Sequence, residues 1–377
     1  MMNIVNYLEW RGDLSFEAAP FNEVDNFILT QAINIDYSGI VPQDSRPMTL
    51  AQAAEKYQAL YGDDGKYMGV LLPVACWPLV KQMVASRRFG QTVISGFTDR
   101  VIPENNEQFT AVVFTLAPDL HYISIRGTDD TIAAWKENFM MAVRDTVPAR
   151  DDALAYLNWA ADNYSGRLIV GGHSKGGNLA VWAATQAAPA IQDRIVAVYS
   201  NDGPGFKPDF YESDAFRRIS DRVHVILPQY SVVGTFFDQP AARIIKSNKS
   251  GLLAHDGFNW EVLGDRFVEE PELARSSQSF DTAFDDALNR MDEKTRCAFI
   301  DDLFDALSAS GTFRTLTDVK SVKPRQLNGM LKTLRSNPDM KKLVQDIFSD
   351  MFREFLENLG DDLEAFGQKL SQGKKQA

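Results

Sequence analysis

The segment Arg167-Leu168-Ile169-Val170-Gly171-Gly172-His173-Ser174-Lys175-Gly176-Gly177-Asn178-Leu179-Ala180 restricts the possible folds of this chain more than any other. A short apolar run fit for a strand buried on both faces enters a glycine cluster, and an alanine-rich run of helical character leaves it. Gly172 and Gly176 flank the serine where side chains would collide across so tight a turn. A bare Gly-x-Ser-x-Gly arises by chance in about one chain in ten of this size. The strand before it and the helix after it are what give it meaning, because a nucleophile elbow requires that setting. The order Gly-x-x-x-x-Gly-Lys-Ser/Thr of a P-loop is absent, as is a Gly-x-Gly-x-x-Gly dinucleotide fingerprint.

Other strand-like runs have the same texture. Phe109 to Leu116 and His121 to Ile125 flank the turn Ala117-Pro118-Asp119 and predict a hairpin. Arg194 to Tyr199 and Arg222 to Leu227 follow the elbow. Helical patterns lie between them at Asp151 to Tyr164 and Asn178 to Ala188. This alternation predicts βαβ units, a mainly parallel central sheet flanked by helices, and hence an α/β-hydrolase fold. The region before the hairpin is expected to be largely helical, including Leu50 to Tyr61 and Trp77 to Ser86, and could contribute to a cap over the site.

The 377 residues exceed one ordinary domain, and the texture changes near residue 275. We expect a hydrolase domain over 1–275 and a helical extension over 276–377. The extension carries an apolar stripe (Val344, Ile347, Phe348, Met351, Phe352, Phe355, Leu356, Leu359) opposite an acidic face. Such a helix is expected to pack on the core, on a second copy of the chain, or on a protein partner.

Composition narrows the partners. A net charge of −12 argues against nucleic acid and against electrostatic adhesion to anionic lipid. Cys76 and Cys297 are the only cysteines, with no metal or redox spacing, so neither metal nor cofactor is expected. The N-terminus lacks a basic region followed by an apolar one, and no run is long enough to span a bilayer; the expectation is a cytoplasmic protein.

A serine hydroxyl needs a base. Of four histidines, His173 sits inside the elbow, His121 precedes the nucleophile, and His224 lies within a strand. His255 follows the last predicted strand in a glycine-bounded loop, where this fold places its base. The acid that orients the imidazole is expected to be Asp202, in Ser200-Asn201-Asp202-Gly203-Pro204-Gly205 at the end of a strand; Asp238 and Asp256 are the alternatives. The backbone N–H groups of Lys175 and of Thr128, in Ile125-Arg126-Gly127-Thr128, are the expected oxyanion donors.

The pair Arg126-Gly127-Thr128 and Gly172-His173-Ser174-Lys175-Gly176-Gly177 resembles the paired signature of the class 3 lipases, and Trp135 matches a tryptophan habitual there. That resemblance implies that the Arg-Gly-Thr segment forms part of the oxyanion site. More closely, the chain resembles a bacterial branch of lipase-like α/β-hydrolases. It shares Tyr7-Leu8-Glu9-Trp10-Arg11-Gly12-Asp13, Pro20-Phe21-Asn22-Glu23-Val24-Asp25, Asn201-Asp202-Gly203-Pro204-Gly205-Phe206, Ser231-Val232-Val233-Gly234 and His255-Asp256 with Trp260. Class 3 lipases usually take their acid after the strand that here ends at Leu227, and Ser231 stands in that place. The resemblance implies a reaction type, hydrolysis of a small-molecule or lipid-like acyl ester, and no particular substrate. Thioester or amide cleavage and acyl transfer use the same machinery, and a catalytically inactive scaffold that recruits a partner through its tail is the reading of a different class.

Overall fold

The computed structural model describes residues 2–69, 72–102, 107–128, 136, 140–141, 147–239 and 241–278. Trp135, Cys297, the stripe from Val344 to Leu359 and nearly all of the expected helical extension lie outside them.

Besides a small antiparallel pair, Val262–Leu263 with Arg266–Phe267, the described strands are β1 (Met48–Thr49), β2 (Val93–Ile102), β3 (Glu107–Ala117), β4 (Leu120–Ile125), β5 (Arg167–His173), β6 (Ile195–Asn201), β7 (Val223–Pro228) and β8 (Ala242–Ile245). β1 to β8 form one eight-stranded sheet in simple sequence order. β1 to β4 pair antiparallel, with the predicted hairpin at β3–β4, and β4 to β8 pair parallel. With helices on both faces, this is an α/β-hydrolase fold.

The described helices are α1 (Ile4–Arg11), α2 (Glu23–Ala32), α3 (Leu50–Tyr61), α4 (Cys76–Ala85), α5 (Pro148–Asn163) and α6 (Lys175–Gln186), with a four-residue helix (Pro189–Gln192) before β6 and further short ones after it. Period-two alternation divides the sheet between two cores. Ala111, Val113, Ile123, Ile125, Leu168 and Val170 face α5 and α6. Val112, Phe114, Tyr122 and Ile169 face α1 to α4. Because both faces are covered, the central strands need apolar residues at every position, which is why they read as unbroken runs. The N-terminal helices therefore cover a sheet face.

β2 departs from the expectation that the chain before the hairpin is largely helical. Its pattern Val-Ile-Ser-Gly-Phe-Thr-Asp-Arg-Val-Ile loses its alternation at an irregularity between Ser95 and Thr98. Gly96 sits there with φ +67, and a Cβ on it would lie 2.5 Å from the Trp159 ring. A break of this kind shifts the inward-facing set by one residue and hides the strand from period-based reading.

The shared opening motifs build one buried network on the α1–α4 face. The Arg88 guanidinium donates to both Asp25 oxygens (2.6 and 2.5 Å) and to the carbonyls of Leu14, Ala19 and Pro20. Tyr7 donates to Asp25 (2.9 Å), and Asn22 donates to Tyr7 (2.8 Å). Both side chains of the Arg88–Asp25 pair are fully buried. Breaking such a pair leaves an uncompensated charge in the core. Arg88→Met is expected to lower stability by about 3–5 kcal/mol, read as a fall in the urea midpoint; an unchanged midpoint would remove the network from the account of stability.

Candidate active site

Strand register carries the expected residues to one edge. Ile125 on β4 lies beside Gly172 on β5, His173 beside Asn201 on β6, and Asn201 beside Ile226 on β7. The residues that leave these strands next are Arg126-Gly127-Thr128, Ser174, Asp202 and Gln229. All four exits lie at the C-terminal edge of the parallel strands, where α/β folds assemble their sites.

Ser174 occupies a strained turn. Its φ of 58° and ψ of −133° are shared by few non-glycine residues. The conformation is held by Ser174 N–H donating to the Asn201 carbonyl (2.9 Å) and Gly177 N–H donating to the Ser174 carbonyl (2.9 Å). A Cβ on Gly172 would lie 2.2 Å from the Gly176 carbonyl carbon, and one on Gly176 would lie 2.1 Å from the Ile125 oxygen. The elbow thus requires glycine at both positions. Gly127 answers the same crowding from the other side, since its Cβ would stand 2.7 Å from the His173 oxygen. Glycine in Arg-Gly-Thr lets β4's exit pass directly against the elbow, with Thr128, nearly buried, one residue on.

Lys175 begins α6 immediately after the serine. Its buried ammonium donates to the Gln108 carbonyl (2.6 Å) and to Gln108 Oε1 (3.0 Å). Its backbone N–H lies at a helix N-terminus that favours negative charge.

Asp202 is wholly buried and adopts φ +49. Its Oδ2 lies 2.6 Å from His255 Nδ1. Its Oδ1 accepts from Ser231 Oγ (2.5 Å) and from the Gly234 N–H (3.2 Å). The carboxylate is fully ligated: one oxygen serves the imidazole and the other is fixed by the loop after β7. Of the alternatives, Asp256 Oδ1 accepts from the Phe258 N–H (3.0 Å), capping a short turn, and Asp238 is exposed, with its carbonyl accepting from Tyr211. Ser231 stands at the later station, and its hydroxyl reaches the carboxylate that projects from the neighbouring strand.

His255 lies in a 3-10 turn (Gly251–His255), with its side chain partly exposed. Three residues outside the expected set hold this loop. His173 Nε2 lies 2.9 Å from the His255 carbonyl, and the two rings stack at 4.4 Å. Burial holds the His173 imidazole well below its ordinary pKa, with the neighbouring His255 adding to the effect, so it stays neutral and Nε2 carries the donated proton. Trp260 Nε1 donates to the Ala254 carbonyl (2.7 Å). Phe27 of α2 packs on Trp260 at 4.4 Å and fills the space where Gly257 would carry a Cβ, 1.9 Å from the ring. Behind the elbow, Asn26 donates to Asn201 Oδ1 (3.0 Å) and Asn201 Nδ2 donates to the Gly172 carbonyl (2.9 Å). In the sequence, the signs of this support are Trp260 beside His255-Asp256, Asn201 before Asp202, and His173 within the elbow.

The other histidines have other partners. His121 is bound to Thr115 and the Ser165 carbonyl at the far end of β4, and His224 stacks on Tyr199. Among the described residues no cluster of His, Cys, Asp or Glu could hold a metal ion, and no helix is long and apolar enough to cross a membrane.

The model of the Mbeg1-like family matches residues 83–305, more than half of the chain. The chain belongs to the Mbeg1-like family. The Mbeg1-like match starts in α4, takes in Thr128, Ser174, Lys175, Asp202, Ser231 and His255, and continues past the expected domain boundary at 275. Among solved structures the chain is similar to M37 lipase, with 14% identity, coverage of 65% of this chain and 95% of that one, and a TM-score of 0.34. It is also similar to a mutant form of MDLA from Penicillium cyclopium, with 11% identity, coverage of 67% and 88%, and a TM-score of 0.34. No curated protein matches it.

Proposed function

We propose that this Mbeg1-like protein is a serine hydrolase that cleaves a carboxylic ester through an acyl-enzyme. The reading rests above all on the buried Asp202 carboxylate 2.6 Å from His255 Nδ1, at the sheet edge that carries the strained Ser174. A buried carboxylate on Nδ1 keeps that nitrogen protonated and leaves Nε2 as the basic atom.

In the proposed reaction, Ser174 Oγ attacks the ester carbonyl carbon as its proton passes to His255 Nε2. The oxyanion that forms is met by the Thr128 and Lys175 backbone N–H groups, in the field of the α6 N-terminus. Collapse breaks the carbon–oxygen bond, and the leaving alkoxide takes the proton from His255. Water then attacks the acyl-enzyme, gives its proton to His255, and the acid departs as Ser174 recovers its hydrogen. Asp202 stabilises the transient imidazolium. No step calls for a metal or cofactor.

A panel of p-nitrophenyl esters of increasing acyl length tests the assignment. Turnover of at least one ester is the expected result. Failure on every ester combined with turnover of an acyl-CoA would move the assignment to thioesters. Failure on both, with no labelling by a fluorophosphonate, would leave an inactive hydrolase-fold scaffold.

A further inference from the structure

We propose that Ser231 is a positioning residue for Asp202, its hydroxyl fixing the orientation of the carboxylate that serves His255. The proposal rests on the triad reading above. Ser231 is fully buried, 2.5 Å from Asp202 Oδ1. Its Oγ also accepts the Gly234 N–H at 3.0 Å. With that backbone donor on one side and an ionised carboxylate on the other, the hydroxyl proton has one favourable direction, toward Asp202.

The arrangement answers a specific electrostatic need. Asp202 has no access to solvent, and a buried carboxylate is costly unless its lone pairs are met. His255 meets one oxygen. Oδ1 has Ser231 and the more distant Gly234 N–H. Charge-assisted O–H···O− bonds are short and about twice as strong as neutral ones. Ser231 also fixes rotation of the carboxylate, because Oδ1 and Oδ2 are then pinned by groups on two separate loops. The space is matched to this use: a Cβ on Gly234 would stand 2.5 Å from Asp202 Oδ1 and 2.9 Å from Ser231 Oγ. Glycine at 234 is what lets the loop after β7 close on the carboxylate.

The test is a double-mutant cycle read by an alkyl fluorophosphonate, with labelling followed over hours by intact-protein mass. Ser231→Ala is expected to lower the maximal labelling rate about ten- to a hundredfold, leaving the concentration for half-maximal rate unchanged. Added to Asp202→Asn, it is expected to change the remaining rate by less than about twofold, because the hydroxyl acts only through the carboxylate. Ser231→Cys keeps the volume while removing the strong donor, and takes the place of the alanine variant if that one does not fold; thermal midpoints check both. A full labelling rate in Ser231→Ala and Ser231→Cys, alongside a large loss in Asp202→Asn, would overturn the proposal and leave the triad reading standing. An equal loss in both backgrounds would also overturn it, by showing a merely structural role. A full rate in Asp202→Asn alone would bring down the triad reading, and the proposal with it.

Discussion

Ser174→Ala is expected to abolish fluorophosphonate labelling and to lower ester turnover by about 10^5- to 10^6-fold. The loss should fall on kcat, because the serine supplies the bond that forms in the transition state and little of the ground-state binding. Fold and stability should change little: the strain of the φ 58° turn is held by backbone bonds from Ser174 N–H and to its carbonyl, which alanine preserves. The check is intact-mass labelling beside a thermal melt. Equal labelling of wild type and variant would show that another residue is the nucleophile.

Asp202→Asn is expected to lower kcat by about 10,000-fold with little change in KM. Asparagine fits the backbone, since it tolerates positive φ better than most residues, and it preserves the shape of the buried side chain. What it removes is the charge that stabilises the imidazolium and the acceptor that fixes the His255 tautomer. Its amide can also present N–H to Nδ1, reversing the tautomer so that Nε2 no longer takes the serine proton. Parallel substitutions at Asp238 and Asp256 should leave kcat within about twofold, as expected of surface and capping carboxylates. A large loss at either with full activity in Asp202→Asn would transfer the acid role. Initial-rate kinetics on the ester that the panel identifies make both comparisons.

These two residues illustrate how differently site members are written into a chain. Ser174 is marked by its immediate neighbours, because the sterics of a strand-to-helix turn act over a few residues and demand glycine on both sides. His255 is marked by chain order and a glycine-bounded loop. Asp202 is marked only by its place at a strand end before Gly-Pro-Gly, a context shared with many turn residues, so Asp238 and Asp256 stay open as alternatives in the sequence. Its pairing with His255 spans 53 residues and depends on β5, β6 and β7 lying parallel in register.

The supporting groups were less visible still. His173 reads from sequence as an elbow residue excluded from the base role; in the structure its neutral imidazole bridges to the His255 carbonyl, 82 residues away. Ser231 reads as standing in the place where an acid is usual, whereas in space its hydroxyl donates to Asp202 at the end of the adjacent strand. β2 was lost to pattern reading because one bulge at Gly96 shifts its inward set.

By itself, then, the sequence determined the layer architecture, the elbow and its serine. Each follows from short-range sterics and from hydrophobic period, which act among near neighbours in the chain. The tertiary structure alone decided which carboxylate meets His255, what holds that carboxylate, and what fixes the histidine's loop. Those are choices among chemically equivalent side chains, and only strand register and the packing of α2, Phe27 and Trp260 bring one of them within hydrogen-bond reach.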